Sequence, residues 1–368
     1  MELLKIMKIK NNSLLRIFTL LLFAATLFSC TKDDNPVVPS EKMVMVLNQG
    51  NFSEQSGSIS LYDETTGTLV NRAYEAANGG ISLGATLISG WVDDSKLAYL
   101  VCNYADKIEI VDASNGKIAR AAIKNNLSSP RAICGDGRYL YVSNWSTEYT
   151  VNENYFYEYY KSFIAVFDAT THAFVKKIEV GTDAEGVLVY NGYLYVATKA
   201  GIVVLNTNST DFPIVSTIRH SSVSGAAKNL VLDKNNKIWA SFPSQGLVKI
   251  NPSTKSAESY VTVPVDEMDG YICTDGEGER VLTYKTTFNS SWMPEIARIY
   301  AVDIASGAVS TLYSGTYFYG VGSSSSTGNI FTAEVSFSSN STLKVLDKNG
   351  VEIKSSAAGV GTSRYLSY

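Results

Sequence analysis

The sequence predicts an all-β fold: a seven-bladed β-propeller of four-stranded antiparallel blades, closed by the C-terminal strand completing the first blade. Three observations predict it. A short apolar strand ending in Asp or Asn recurs seven times; a second pair of strands can be read ahead of these anchors; and the two ends of the array complement one another.

The first thirty residues stand outside that array. Lys5, Lys8, Lys10 and Arg16 form a positive start, Leu14 to Phe28 is an almost unbroken apolar run, and it ends at Leu27-Phe28-Ser29-Cys30. That order is expected of a secretory signal peptide with a lipobox: Ser29 is small enough for the peptidase cleft, and the Cys30 thiol accepts the lipid. A plain transmembrane anchor needs about 20 apolar residues, more than this run supplies. Residues 1–29 are therefore read as a lipoprotein signal peptide, residues 30–42 as a lipidated tether, and residues 43–368 as the propeller. The tether is polar and extended, with Lys32, Asp33, Asp34, Pro36 and Pro39. Its Lys and acidic residues directly after the cysteine resemble the surface-export signal of Gram-negative lipoproteins, although an ordinary solvated linker would also be charged. The expected location is the outer membrane, held by the Cys30 lipid alone and facing the medium.

The whole chain carries a formal charge of −4; residues 1–29 contribute four cations and one anion, so the remainder is near −7. A modest acidic charge speaks against nucleic acid or anionic lipid as partners. Cys102, Cys134 and Cys273 are widely spaced with no CxxC, and are expected as small core residues.

The seven anchors are Ile59–Asp63, Ile108–Asp112, Ile164–Asp168, Ile202–Asn206, Leu247–Asn251, Ile299–Asp303 and Leu343–Asp347. Their final residues lie between 38 (Asp168 to Asn206) and 56 (Asp112 to Asp168) positions apart. Asp and Asn accept hydrogen bonds from nearby backbone N–H groups and so open tight turns. Thr66-Gly67, Asn115-Gly116, Ser306-Gly307 and Asn349-Gly350 supply the positive φ such hairpins need. Ahead of the anchors come pairs such as Ala132–Cys134 into Tyr139–Asn144, and Gly186–Tyr190 into Tyr193–Val196. One unit is thus four strands in about 40–50 residues, the size of a propeller blade. The first unit begins at Val44–Asn48, a second strand with no first strand before it, while Gly361–Tyr368 matches a first strand with no second strand after it. Joining the two closes the ring and removes the exposed edges.

In such a ring the fourth-to-first and second-to-third loops share one face, where many repeats can aim a side chain at the axis. Two second-to-third loops are expanded and aromatic: Asn144-Trp145 through Tyr149, Tyr155, Phe156, Tyr157, Tyr159 and Tyr160, and Tyr284 through Phe288, Trp292 and Met293. They suit recognition, or packing on neighbouring loops. Alignment of the repeats places Arg131, Glu185, Asn229, Asp269, Tyr319 and Arg364 at the openings of first strands, as a candidate inner ring; rim solvation or cross-blade pairing would use the same residues. Catalytic residues are expected to be none. His172 and His220 have no metal-ligand spacing, no nucleophile elbow or phosphate loop is present, and Asp233–Asn236 and Asp275–Gly278 look like turns rather than calcium loops. No metal or cofactor is expected.

The opening Val46-Leu47-Asn48-Gln49-Gly50-Asn51-Phe52, followed by Gly57–Asp63, resembles the N-terminal motif of YncE-like propellers, a group that includes DUF5074-type lipoproteins. The likeness extends over nearly all of residues 43–368. It implies a surface lipoprotein, and the group contains members that capture vitamin B12 and related corrinoids and hand them to a TonB-dependent outer-membrane transporter. On that resemblance a corrinoid is the expected ligand, with no enzymatic step. A face carrying Trp145, Tyr149, Tyr157, Phe242 and Trp292 would bury it, and Asn144, Asn229, Arg131 and Arg364 would bond its amide fringe and phosphate. A glycan also stacks on aromatic rings and is the second expectation; a propeller lyase or lactonase is a third, resting on analogy of fold.

Overall fold

Seven turns of the same kind organise the chain. The Asp or Asn closing each anchor accepts the backbone N–H two residues on at 2.8–3.1 Å: Asp63 from Thr65, Asp112 from Ser114, Asp168 from Thr170, Asn206 from Asn208, Asn251 from Ser253, Asp303 from Ala305 and Asp347 from Asn349. Backbone N–H donors hold the carboxyls of Asp168, Asp303 and Asp347 below the ordinary carboxylate value.

These turns join the third and fourth strands of seven antiparallel four-stranded blades in a computed structural model that describes residues 42–153 and 157–368. Residues 1–41, with the signal peptide, Cys30 and most of the tether, lie outside the described residues, as do Tyr155 and Phe156. Blade 2 is built from Leu87–Val92, Leu97–Cys102, Lys107–Asp112 and Ile118–Ile123, in chain order from axis to rim. Blade 3 inserts a two-stranded hairpin, Tyr149–Val151 with Tyr157–Tyr159, between its second and third strands. Blade 6 lengthens the same two strands instead, Arg280–Phe288 and Pro294–Asp303, around a turn that holds Trp292. One short helix, Ala73–Ala77, lies between blades 1 and 2 and buries Tyr74.

Blade 1 takes its inner strand from the far end of the sequence. Thr362–Ser367 pairs with Met43–Asn48, in the register Val46 to Tyr365 and Leu47 to Arg364. The Thr362 hydroxyl donates to Asn48 Oδ1 at 2.7 Å inside the joint. The neighbouring blade approaches so closely that a Cβ on Gly320 would lie 1.8 Å from the Ser363 carbonyl oxygen, which only glycine permits.

Each blade is covered on both sides, which explains why the anchors are continuous apolar runs rather than alternating ones. In blade 4, Ile202 and Val204 pack toward Ile238, Ala240 and Val248 of blade 5, whereas Val203 and Leu205 pack toward Tyr141, Ile164 and Val166 of blade 3. The turns between first and second strands carry a second recurring device. Asp93, Asp136, Asp233 and Asp275 each close the turn through Oδ1 and take a second-strand side chain on Oδ2: Tyr99, Tyr141, Trp239 and Arg280. The segments with a faint likeness to calcium loops therefore serve as turns. The thiols of Cys102 and Cys134 are buried and that of Cys273 is half-buried, and all three are free.

Antiparallel order fixes two faces. The second-to-third and fourth-to-first loops lie on one, called upper here. The other two sets of turns lie on the lower face, where Met43 sits opposite Asp63 and Tyr368 donates to the Ala113 carbonyl.

Candidate ligand-binding site

The first strands enter the ring from the upper face, so the residues at their starts converge on the axis. Arg131, Glu185, Asn229, Asp269, Tyr319 and Arg364, one from each of six blades, line a single cavity of about 120 Å³ at the channel mouth. Below it the channel widens on the lower side into a chamber of about 820 Å³, walled by the first strands themselves.

Ion pairs set the character of the mouth. Glu185 is buried and accepts from Arg131 Nε at 2.9 Å and from Lys228 Nζ at 2.8 Å. Burial alone would raise the Glu185 carboxyl, but the charges of Arg131 and Lys228 outweigh it and hold it below the usual value. On the other side Arg364 pairs with Asp269, stacks on the Tyr271 ring at 4.1 Å and donates through Nη1 to the Ser363 and Tyr319 carbonyls. Asp269 also accepts from the Tyr284 hydroxyl at 2.7 Å and the Tyr271 N–H at 3.0 Å. Burial, and then Asp269, push the Tyr284 hydroxyl well up, so it stays a donor. Three cations meet two carboxylates in direct ion pairs, with Asp183 near Lys228 and Asp266 near Asp269.

Aromatic rings surround this mouth on most of its circumference. Arg131 lies 4.0 Å from the Trp145 ring, which stacks on Tyr159 at 4.4 Å; Tyr149 and Tyr157 continue the group at 5.8 and 6.4 Å from Tyr159. Tyr104 of blade 2 meets Phe52 of blade 1 at 4.4 Å. Asn51 donates to the Phe337 carbonyl, and Phe337 touches both Tyr319 and Tyr317, the latter meeting Phe288 of blade 6. The arc runs over blades 6, 7, 1, 2 and 3, and is interrupted at blades 4 and 5, whose second-to-third turns are short. Phe52, Tyr104, Tyr149, Tyr157, Phe288 and Trp292 are exposed. This much exposed ring surface on one face suits recognition of a partly apolar ligand.

The predicted residues divide accordingly. All six inner-ring residues meet, and Tyr149, Tyr157 and Trp292 are exposed, Trp292 at 84% on the tip of the blade 6 hairpin. Phe242 is a correction: it is 1% exposed and belongs to the blade 4–blade 5 core. It ends a second strand buried on both faces, in which Ile238, Ala240 and Phe242 share the side turned to blade 4 by the two-residue period of the strand. Asn144 is also fully buried, its amide donating to Val142 O and accepting from Ser128 N, so it shapes the loop rather than facing a ligand. Trp145 is half-buried in its stack, and its indole N–H has no partner among the described residues. Lys228, Gln49 and Tyr271 complete the mouth and escaped the sequence reading. Lys228 is one position from its blade's expected inner residue, a signal the alignment held but did not use.

Beside the mouth, Asp266 is buried and accepts from Met268 N at 2.9 Å and Thr286 N at 3.2 Å. Burial is the main cause that lifts its carboxyl to about 6. A raised folded-state value means that Asp266 favours folding when protonated: the contribution is full below its unfolded value near 3.8 and is lost as pH rises through about 6. Asp266→Asn is therefore expected to stabilise the protein by about 1–2 kcal/mol at pH 7, after allowing for the weaker contact to Thr286, and to give no gain near pH 4. Thermal melts of both proteins across that pH range check it; equal differences at the two ends would refute it.

Among the described residues no three His, Cys, Asp or Glu side chains gather as a metal-binding group. The DUF5074 family, described as a domain of unknown function, matches residues 42–357. No curated protein sequence matches the chain. Among solved structures it is similar to hydrazine synthase of Kuenenia stuttgartiensis, with a TM-score of 0.59 and 15% identity over 74% of this chain and 86% of that one. It is likewise similar to the Pseudomonas aeruginosa periplasmic gluconolactonase PpgL, with a TM-score of 0.59 and 13% identity over 88% and 99%. At these identities the likeness shows the propeller fold alone.

Proposed function

The chain belongs to the DUF5074 family, and from that premise we propose that it is a surface-exposed lipoprotein that captures a corrinoid and passes it to a TonB-dependent outer-membrane transporter. The observation that carries the reading is the aromatic arc around an ion-paired, polar mouth on the upper face. A corrinoid is broad, partly apolar and fringed with amides; rings bury its faces while the mouth supplies hydrogen bonds. Met43 lies on the lower face, opposite the aromatic arc. Lipidation at Cys30, surface export through Lys32, Asp33 and Asp34, and the transporter partner belong to this proposal as well. No chemical step is part of it.

Calorimetric titration of the mature chain with cyanocobalamin, alongside a glycan panel, tests the ligand. Saturable binding of the corrinoid is expected. Tyr157→Ala and Trp292→Ala should each weaken it by about 2 kcal/mol, as interface aromatic anchors do, and leave the melting temperature unchanged because both rings are exposed in the free protein. No heat with the corrinoid and clear binding of an oligosaccharide would replace this reading with glycan capture, for which the exposed Tyr149 and Tyr157 are the favouring observation. Turnover of a lactone in the same panel would favour an enzyme.

A further inference from the structure

We infer that the channel mouth is a receptor for one negatively charged group, a phosphate ester or a carboxylate, presented end-on by the captured ligand. The inference rests on the upper face being a capture surface, but not on the ligand being a corrinoid.

The charges point to it. Three cations share only two carboxylates in direct ion pairs, Glu185 and Asp269, while Asp183 and Asp266 act on Lys228 and Asp269 through space. The donors left over are localised. Arg364 is consumed by Asp269, two carbonyls and the Tyr271 ring, so it closes the ring and does not bind. Arg131 uses only Nε on Glu185, and its two terminal nitrogens have no hydrogen-bond partner among the described residues. Lys228 likewise spends one of its three donors on Glu185. The side chains of Asn229, Gln49 and Tyr319, which line the same cavity, carry no hydrogen bond among the described residues. Unpaired donors, two sets of them on cationic side chains, are what an oxyanion requires, and leaving them unpaired in a partly desolvated site is costly without a ligand or water.

Size limits the occupant. A cavity of about 120 Å³ holds roughly four waters at ~30 Å³ each. A phosphate or carboxylate fits; a sugar ring or macrocycle does not. With capture on the upper face, the body of the ligand lies above, among the aromatic rings, and its anionic group points down the axis.

Inorganic phosphate and acetate, in separate calorimetric titrations of the mature chain at constant ionic strength, test this and separate the two sources of the charge. The wild-type protein should bind at least one of them saturably at one site, with a dissociation constant on the order of 1–10 mM. Asn229→Asp introduces a carboxylate where no protein hydrogen bond is lost, and should weaken binding at least about tenfold with the melting curve intact. Gln49→Glu is a second variant of the same kind. Lys117→Gln, on an exposed lower-face turn, alters net charge equally and should leave binding unchanged. No saturable binding of either anion, or folded Asn229→Asp binding as well as wild type, would overturn the inference. Cyanocobalamin binding without anion binding would sink this inference alone; anion binding without cyanocobalamin binding would sink only the corrinoid reading.

Discussion

Removal of Gly361–Tyr368 is expected to abolish cooperative folding of the propeller, not merely to fray one strand. The deletion takes the inner strand from blade 1 and opens Met43–Asn48, whose residues Val44, Met45, Val46 and Leu47 are fully covered in the intact ring. Tyr365 and Leu366 leave the joint with them. Each large apolar side chain lost from such a site is worth about 1.5–3 kcal/mol, and the total approaches the 5–15 kcal/mol by which domains are generally stable. Near-UV circular dichroism and thermal melts give the result directly. A truncated chain that melts like the complete one would show that three strands suffice for blade 1.

Arg364→Met is the second large effect. Arg364 and Asp269 are 11% and 14% exposed in their side chains, so removing the cation strands a carboxylate in the channel wall. Breaking a buried pair from one side costs about 3–5 kcal/mol, most of it the penalty of the orphaned charge. Asp269→Asn should return much of that loss when combined with Arg364→Met, because Tyr284 can still donate to the amide oxygen. Chemical denaturation of the two single variants and the double variant completes the cycle. A double variant as unstable as the sum of the singles would mean that the pair does not act as a unit.

The contrast between these residues and the aromatic arc shows what sequence could reveal. Asp63, Asp112 and their five counterparts act locally, on an N–H two residues away, so the repeat was legible from the residue types alone. Arg131 and Arg364 were found because repetition carries position: what opens one first strand opens them all. Phe52, Tyr104 and Phe337 were not found. They occupy loops of ordinary length and become a surface only when seven blades place those loops side by side, a relation absent from any one repeat. Phe242 failed for a different reason. It is the last member of a strand buried at every position between two neighbouring blades, so nearness to a loop does not bring it to the face.

The joint in blade 1 also dictates a timetable. The contact between Asn48 and Thr362 spans 314 positions. At ~5–20 residues per second, that stretch takes roughly 15–60 s to synthesise. Throughout that interval Met43–Asn48, among the earliest of the described residues to be made, has no partner on its inner edge. Blades 2 to 7 draw every strand from contiguous sequence; blade 1 must wait for Thr362–Ser367. Until Thr362–Ser367 is available, Met43–Asn48 presents an open apolar edge of the kind that invites pairing with other chains. Folding without aggregation then requires that those six residues stay shielded until their distant partner docks.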